Sequence, residues 1–174
     1  MPLPDPVRLA PLTEADFGTL SDLATTIWRS HYIRIISAEQ IEYMLAGRYV
    51  PEKLRAYIGS DVCWLDLLWQ RSQAIGYCSY ALTEKPDEMK LEQLYLLPAL
   101  HGKGLGGAML RHVESQARSK GMASLMLTVN KHNAGSIAVY RKAGYTVREE
   151  ARFDIGNGFV MDDYVMEKRL APAA

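Results

Sequence analysis

Four glycines stand within six positions of the chain, at Gly102, Gly104, Gly106 and Gly107, between a strand-like run and a helix-like run. Glycine has no Cβ, so it adopts positive φ readily and lets a ligand approach the main chain closely. The first N–H groups of a helix have no partner inside the helix, and the helix dipole favours negative charge beside them. A glycine-rich entry to a helix therefore predicts a phosphate-binding loop. A tight turn that binds nothing is the alternative interpretation.

Two other phosphate-binding motifs can be compared with this loop. Gly102, Gly104 and Gly107 satisfy the G-x-G-x-x-G dinucleotide fingerprint. That fingerprint also requires an acidic residue at the end of the next strand, where this chain has LTVN. The P-loop pattern G-x-x-x-x-G-K-S/T is absent from the sequence. A dinucleotide-binding oxidoreductase therefore stays open only as a weaker alternative.

Hydrophobic periodicity and turn residues predict the elements on either side of the loop. Apolar and aromatic runs predict strands at residues 7–12, 62–70, 74–83, 90–97, 123–130, 145–153 and 159–170. Helical spacing of apolar residues predicts helices at residues 13–32, 38–47, 51–59, 105–121 and 134–144. Short polar joints make the three central strands an antiparallel meander, and residues 154–158 predict a closing hairpin. The fold class is therefore α/β with a mixed sheet, in a single domain of residues 1–174.

Several of these helices carry recognisable end signals. Thr13 and Asp16 are placed like an N-cap and its first-turn acid. Ser37 and Gln40 form a capping-box pattern, and Asn133 is placed to cap the last helix. Glycines predict the ends of three helices, at Gly47, Gly121 and Gly144.

Composition excludes several function classes. Lys plus Arg and Asp plus Glu number 20 each, so no net positive field favours nucleic acid. No apolar run approaches the roughly 20 residues of a membrane span, and the start MPLPDP lacks the pattern of a signal peptide, so we expect a cytoplasmic protein. Cys63 and Cys78 are expected to be reduced there. Neither has His or Cys partners at zinc spacing, so no metal is expected.

Residues 94–110, LYLLPALHGKGLGGAML, resemble the pyrophosphate-binding motif of the GNAT superfamily, the acetyl-CoA-dependent N-acetyltransferases. That motif is a strand, a proline, a short loop and R/Q-x-x-G-x-G/A running into a helix. Gly104 and Gly106 fit it, and His101 stands where Arg or Gln is usual. Residues 130–147 resemble a second family segment, and the order of elements matches along nearly the whole chain. The ending at residues 158–170 is similar to bacterial members that acetylate polyamines or other small amines.

The resemblance implies a fold of order β-α-α-β-β-β-α-β-α-β-β in which the strand before the loop bulges and splays from the next parallel strand. Pro98 suits this arrangement because it cannot donate to a strand ladder and must sit at the strand's end. Acetyl-CoA is the implied co-substrate, with its thioester between the splayed strands. The implied cofactor-binding residues are Leu94, Tyr95, Leu96, His101, Gly102, Lys103, Gly104, Leu105, Gly106, Gly107, Asn130 and Asn133.

The resemblance places the general acid at Tyr140, which would protonate the departing CoA thiolate. A ring that packs the helix onto the sheet is the alternative interpretation. For the general base we predict Glu92, because it precedes Leu94 by two and is expected on the same strand face, where burial would raise the pKa of its carboxyl group. A strand glutamate that faces solvent is the alternative interpretation of Glu92. His31 and His101 are rivals by pKa alone, and many family members use water chains.

The helical first third is expected to form the acceptor end of the site. It contains aromatic side chains that suit an amine or ammonium group, although packing between helices is the commoner explanation for such side chains. The predicted acceptor-binding residues are Trp28, His31, Tyr32, Tyr43 and Met44.

Direct acetyl transfer to a primary amine, in a ternary complex, is the predicted activity. A small amine such as a polyamine is preferred as acceptor, with a peptide N-terminus or a lysine as further options. A non-catalytic acyl-CoA sensor or interaction module on the same fold is the alternative. The oligomeric state is left open, with a homodimer as one option.

Overall fold

The computed structural model describes residues 6–172, and most of the opening segment MPLPDP lies outside them. Seven strands form one sheet in the order β1-β2-β3-β4-β5-β7-β6. The strands are β1 (Val7–Pro11), β2 (Cys63–Gln70), β3 (Gln73–Leu82), β4 (Glu88–Leu96), β5 (Ser124–Asn130), β6 (Thr146–Gly156) and β7 (Phe159–Arg169). The helices are α1 (Phe17–His31), α2 (Ala38–Arg48), α3 (Pro51–Leu54), α4 (Leu105–Ser119) and α5 (Ala134–Lys142). The predicted mixed α/β fold and its order of elements are confirmed.

The first helix begins later than predicted. Thr13 is the N-cap and is bound to Asp16, since the Thr13 backbone N–H and hydroxyl both donate to Asp16 Oδ2, at 3.0 and 2.7 Å. The turn that they close is a 3₁₀ helix, Glu14–Asp16, and α1 follows from Phe17. The predicted cap is therefore confirmed, and the predicted start of the α-helix at residue 13 is wrong by four residues.

Only one of the two hydrogen bonds of a capping box forms at the start of α2. Ser37 Oγ accepts a hydrogen bond from the Gln40 backbone N–H at 3.1 Å, as the capping pattern predicts. The Gln40 side chain does not complete the box, because its amide donates across the fold to the carbonyl of Val160 at 3.2 Å. Gly47 was expected to close this helix, but the helix continues to Arg48.

The helices cover both faces of the sheet. One core cluster joins α4 and α5 to the inward side chains of the strands, with Met109 of α4 and Leu127 of β5 among its members. The other joins α1, α2 and α3 to the opposite face, around Trp28 and Tyr77. We call these two sides the α4 face and the α1 face. A ligand that passes through the sheet would therefore meet groups from both layers.

The sheet does open at its centre, as the resemblance implied. Strands β4 and β5 form a parallel pair from Glu88 opposite Ser124 to Leu91 opposite Leu127. Beyond Leu91, β4 pairs only with β3, and β5 pairs only with β7. The two strands diverge there, and their facing main-chain groups are left for a ligand. All the other neighbouring pairs are antiparallel, which is unlike the doubly wound parallel sheet of a dinucleotide-binding fold.

A β-bulge in β4 lies at the start of this opening. Leu91 pairs with Tyr80 and Gln93 pairs with Ser79, so Glu92 is the extra residue. Leu91 and Leu94 both pack on the α4 face, which directs the two residues between them to the α1 face. The expectation that Glu92 and Leu94 share a strand face by simple alternation is therefore wrong.

The closing hairpin has a tighter turn than predicted. Strands β6 and β7 continue to Gly156 opposite Phe159, so that two residues form the turn. These are Asn157 and Gly158, with φ of 54° and 77°, the left-handed values that two-residue hairpins require.

Three findings concern the expectations drawn from composition, and each applies to residues 6–172. No helix there combines the length and apolar character that a membrane crossing needs. No group of three or more His, Cys, Asp or Glu side chains is arranged to hold a metal ion. Cys63 and Cys78 are both free thiols.

Candidate active site

A cavity of about 1170 Å³ occupies the opening between β4 and β5 and extends to both faces of the sheet. Sixteen of the residues predicted from the sequence line it, from both the cofactor and the acceptor sets. They are Trp28, His31, Tyr32, Met44, Glu92, Leu94, Tyr95, Leu96, His101, Gly102, Gly104, Gly106, Gly107, Asn130, Asn133 and Tyr140.

Three predicted residues lie outside the cavity lining. Leu105 is 4% exposed and packs in the α4-face core, and Lys103 is exposed at the surface of the loop. Tyr43 turns to the β6–β7 hairpin, where its hydroxyl donates to the carbonyl of Ile155 at 2.8 Å. A Cβ at Gly156 would collide with that hydroxyl, so the glycine makes this contact possible. In this structure Tyr43 supports the hairpin.

The glycine loop presents bare main chain to the cavity. Gly102 and Gly104 have φ of 78° and 81°, and Gly104 is the N-cap of α4. A Cβ at Gly102, Gly104 or Gly106 would meet no atom within 4 Å, so the space beside the loop is open. The first α-helical bond of α4 is donated by Ala108 to the Gly104 carbonyl, which leaves the preceding N–H groups for a ligand. The loop has the form of an anion-binding site.

Basic side chains also line the cavity, and one of them lies beside the glycine loop. Arg111 lies one turn along α4, with its Nη1 3.3 Å from the position of a Cβ on Gly107. Lys142 and Lys168 also line the cavity. Sequence reasoning missed Arg111, although its four-residue spacing from Gly107 places it over the loop. His101 donates from Nε2 to the Leu96 carbonyl at 3.0 Å, which fixes the loop against the end of β4.

Tyr140 reaches the cavity from α5. Its ring lies against Tyr145, with centroids 5.9 Å apart and an edge-to-face arrangement. Burial, and then the proximity of Tyr95, raise the pKa of its hydroxyl well above the ordinary value. A phenol is protonated at neutral pH even at its ordinary pKa, so Tyr140 can donate a proton, although the raised pKa makes its hydroxyl a weaker acid.

The two predicted asparagines have side chains engaged within the protein. Asn130 Oδ1 accepts from the backbone N–H of His132 at 2.9 Å. Asn133 Oδ1 accepts from the backbone N–H of Ser136 at 3.3 Å, which confirms the predicted cap of α5. Asn133 Nδ2 donates to His31 Nε2 at 3.2 Å. These asparagines shape the wall of the cavity.

Aromatic side chains build the wall on the α1 face. Trp28 is 1% exposed and packs against both Tyr32 and Tyr95, at centroid distances of 4.9 and 5.6 Å. The hydroxyls of Tyr32 and Tyr95 are hydrogen-bonded at 2.8 Å. Arg48 already stacks over the Trp28 ring, at 5.5 Å from its centroid, so this ring is engaged by a protein cation.

Three carboxylates line the cavity, Glu92, Asp163 and Glu114, and Glu114 is already bound by Lys168 and Tyr145. Glu92 is exposed, so the burial on which its predicted role depended is not observed. Asp163, on β7, is 5% exposed. Burial, and then the nearby Asp162, raise the pKa of Asp163 to about 6. Sequence reasoning missed Asp163, although it alternates in phase with the buried Val165 on the same strand.

Comparison with known proteins gives consistent matches. The sequence profile of the Acetyltransferase (GNAT) family matches residues 24–145. A spermidine N(1)-acetyltransferase of Thermoplasma acidophilum is 28% identical over 160 residues, which cover 90% of this chain and 96% of that protein. The ribosomal protein bS18-alanine N-acetyltransferase of Escherichia coli is 32% identical over 117 residues, 63% of this chain and 79% of that protein.

The fold is also similar to solved structures. The crystal structure of the PaiA N-acetyltransferase from Thermoplasma acidophilum, in complex with coenzyme A, superposes with a TM-score of 0.79 at 26% identity. The superposition covers 94% of this chain and 98% of that chain.

Proposed function

The chain belongs to the acetyltransferase (GNAT) family of acyltransferase enzymes, and we propose that it moves the acetyl group of acetyl-CoA directly to a primary amine. The observation that carries this proposal is the single cavity that joins the glycine loop to the Tyr140 hydroxyl through the opened sheet. A small amine such as a polyamine is the proposed acceptor, because the spermidine acetyltransferase relative matches over nearly its whole length. Residues 1–174 are proposed to act as one domain.

Acetyl-CoA suits the residues that are present on the α4 face. The unpaired N–H groups at the start of α4 would bind its diphosphate, and Arg111 would add positive charge. The main chain of Leu94 to Leu96, beyond the end of the β4–β5 pairing, would hold the pantetheine arm. The coenzyme A complex of the similar PaiA enzyme supports this assignment.

The chemistry proposed for the opening needs one proton donor and one proton acceptor. A neutral amine attacks the thioester carbonyl, which forms the C–N bond, and the C–S bond then breaks with its electron pair on sulfur. Tyr140 gives its hydroxyl proton to that sulfur and recovers a proton from solvent. The attacking nitrogen loses its proton through water, with Glu92 as the proposed acceptor because it lines the cavity.

Two other acceptor classes and one other function remain as alternatives. The bS18-alanine acetyltransferase relative favours a peptide N-terminus as the second candidate acceptor, with a lysine as a further one. A protein that binds acyl-CoA without turnover would use the same loop but would not need the Tyr140 hydroxyl. A cytoplasmic location, a homodimer and the absence of a metal stay predictions.

The test is a transfer assay on the purified chain. Acetyl-CoA is supplied with a panel of spermidine, amino acids, aminoglycosides, lysine-containing peptides and an alanine-starting peptide. Thiol release is measured together with the masses of the products. We expect at least one acetylated amine in equal amount to the free CoA. Binding of acetyl-CoA with no acetylated acceptor would support the sensor alternative and contradict the proposed function.

A further inference from the structure

Two buried oxygen atoms in the cavity have no hydrogen-bond donor among residues 6–172. They are Oδ1 of Asp163 and Oε1 of Gln93, whose residues are 5% and 6% exposed. Both residues line the opening between the splayed strands. A buried acceptor without a donor costs free energy, and the cost is larger for a carboxylate than for an amide. At such atoms an ordered water or a ligand must supply the missing donors.

The strand pairing directs both atoms to the same side of the sheet. Asp163 lies opposite Asn130, the last residue of β5, beyond the point where β4 and β5 separate. Its neighbour Tyr164 packs on the α4 face, so alternation directs Asp163 to the α1 face. Gln93 follows the bulge and also faces α1. Both oxygen atoms therefore lie on the α1 face of the opening, where the amine substrate is expected, and away from the glycine loop.

The charges around Asp163 leave room for a cation. Asp162, on the same strand, raises the pKa of the Asp163 carboxyl, and Lys90 from β4 and Lys131 after β5 lower it. Lys131 is itself bound to Asp162, at 2.9 Å between Nζ and Oδ1. Tyr95, across the opening, is affected by the charge of Asp163. Lys131 is therefore already paired, whereas Lys90, whose effect on the pKa of Asp163 is larger, lines the same cavity.

We propose that Asp163, together with Gln93, binds an ammonium group of the acceptor other than the neutral amine that reacts, and thereby determines specificity for acceptors that carry a second, cationic group. An ammonium has three N–H donors and no acceptor, which complements two oxygens that lack donors. A hydrogen bond between two charged groups in a buried site is also stronger than a neutral one. This inference rests on the proposed acetyl transfer for the identity of the ligand as an acceptor.

The test compares Asp163→Asn with Asp162→Asn. Asparagine has the shape of aspartate without its charge, and Asp162 is the neighbouring carboxylate that binds Lys131 instead of lining the cavity. Spermidine binding is measured by calorimetry at pH 8, and KM is measured for the best amine of the panel. For Asp163→Asn we expect amine affinity to fall about 10- to 100-fold while acetyl-CoA affinity stays within twofold. For Asp162→Asn we expect both to stay near wild type.

The pH profile gives a readout that a structural role would not change. In the wild type, kcat/KM for the amine should fall as pH decreases through about 6, because protonated Asp163 loses its charge. The Asp163→Asn variant should lack this limb.

The inference is overturned if the wild type binds none of the panel amines, or if Asp163→Asn binds them as tightly as the wild type. Amine binding that depends on Asp163, without any acetylated product, would contradict the proposed function and leave the ammonium site standing.

Discussion

Asn133 Nδ2 donates a hydrogen bond to His31 Nε2 at 3.2 Å, and this bond joins the helices on opposite faces of the sheet. His31 ends α1, and Asn133 caps α5 with its other side-chain atom. Since an amide nitrogen can only donate, His31 Nε2 must be unprotonated. Burial, and then the nearby His101, lower the pKa of His31, which agrees with a neutral ring. The bond therefore holds the two walls of the cavity together at neutral pH.

Replacing Asn133 by Asp should raise the pKa of His31. The carboxylate can still accept from the Ser136 N–H, so the cap of α5 and the melting temperature should change little. It cannot donate to neutral His31, and its negative charge favours the protonated ring. The pKa of His31 is measured by NMR titration in both proteins. An unchanged value would show that the two side chains do not meet in solution. Asn133→Ala, which removes the cap, should cost about 1 kcal/mol of stability.

Replacing Gly104 by Val should abolish measurable acetyl-CoA binding. The new side chain would occupy the open space beside the loop amides, where the diphosphate is proposed to bind. Gly121→Val is a matched control, because Gly121 follows the other end of α4 with φ of 78° and also has no neighbour within 4 Å. Both variants carry similar backbone strain, of about 1 to 3 kcal/mol.

Calorimetry with acetyl-CoA and with NADH separates the two interpretations of the loop. Only Gly104→Val should lose acetyl-CoA, and NADH should not bind the wild type. Equal binding by the two folded variants would refute the phosphate assignment, and tight NADH binding would revive the dinucleotide alternative.

No acetyl-cysteine should form during turnover. Cys78 is fully buried, and burial followed by the charge of Asp66 raises the pKa of its thiol well above the ordinary value. The Cys63 thiol donates to the Ala56 carbonyl at 3.3 Å, outside the lining of the cavity. The double variant Cys63→Ala, Cys78→Ala should keep most of its activity. Intact mass spectrometry after incubation with acetyl-CoA alone checks this directly, since a protein heavier by one acetyl group on cysteine would require a covalent route.

Asp163→Asn should stabilise the protein at high pH. The raised pKa of about 6 means that ionisation of Asp163 costs more in the folded state than in the unfolded state. Its contribution to stability is therefore greatest below about pH 4, the ordinary aspartate value, and is lost as pH rises through about 6. At pH 8 each kcal/mol recovered by the neutral variant would raise Tm by about 2 to 4 °C.

Asp162→Asn should lower the stability of the protein at pH 8, the opposite of the effect of Asp163→Asn. Hydrogen bonding to Lys131 lowers the pKa of Asp162, so its contribution is present above the ordinary aspartate pKa and is lost in acid. Melting curves of both variants and the wild type at pH 4 and pH 8 measure whether each substitution raises or lowers stability at each pH. A lower Tm for Asp163→Asn at pH 8 would mean that the ionised carboxylate is stabilised by the fold.

Local signals account for the parts of the fold that could be predicted from the sequence. The caps at Thr13, Ser37 and Asn133 depend on residues three positions apart, and the glycine loop depends on its own backbone. The strands on either side of the glycine loop have apolar patterns that can be recognised without knowing which strands they pair with. The family resemblance then supplied the splayed pair, which no local pattern contains.

The remaining features depend on contacts between distant segments. The bulge at Glu92 is defined only by its pairing with Ser79 and Tyr80 on the neighbouring strand. Tyr43 lies outside the cavity lining because its hydroxyl binds a carbonyl of a hairpin more than 100 positions away. The burial of Asp163 could have been predicted, because it alternates in phase with the apolar Val165 on the same strand. That Oδ1 of Asp163 lacks a hydrogen-bond donor can be known only from the three-dimensional structure around the opening.

The most direct test of the account is the activity of Tyr140→Phe, because the proposed chemistry depends on one hydroxyl. Phenylalanine keeps the ring, so Tm and acetyl-CoA affinity should barely change, while kcat falls by about 10² to 10⁴ with little change in KM. Tyr145→Phe is the control, since that hydroxyl donates to buried Glu114 at 2.9 Å and should affect Tm more than kcat. Steady-state kinetics on the best amine, with melting curves, give the answer. A fully active Tyr140→Phe would contradict the account and leave Tyr140 as a packing residue.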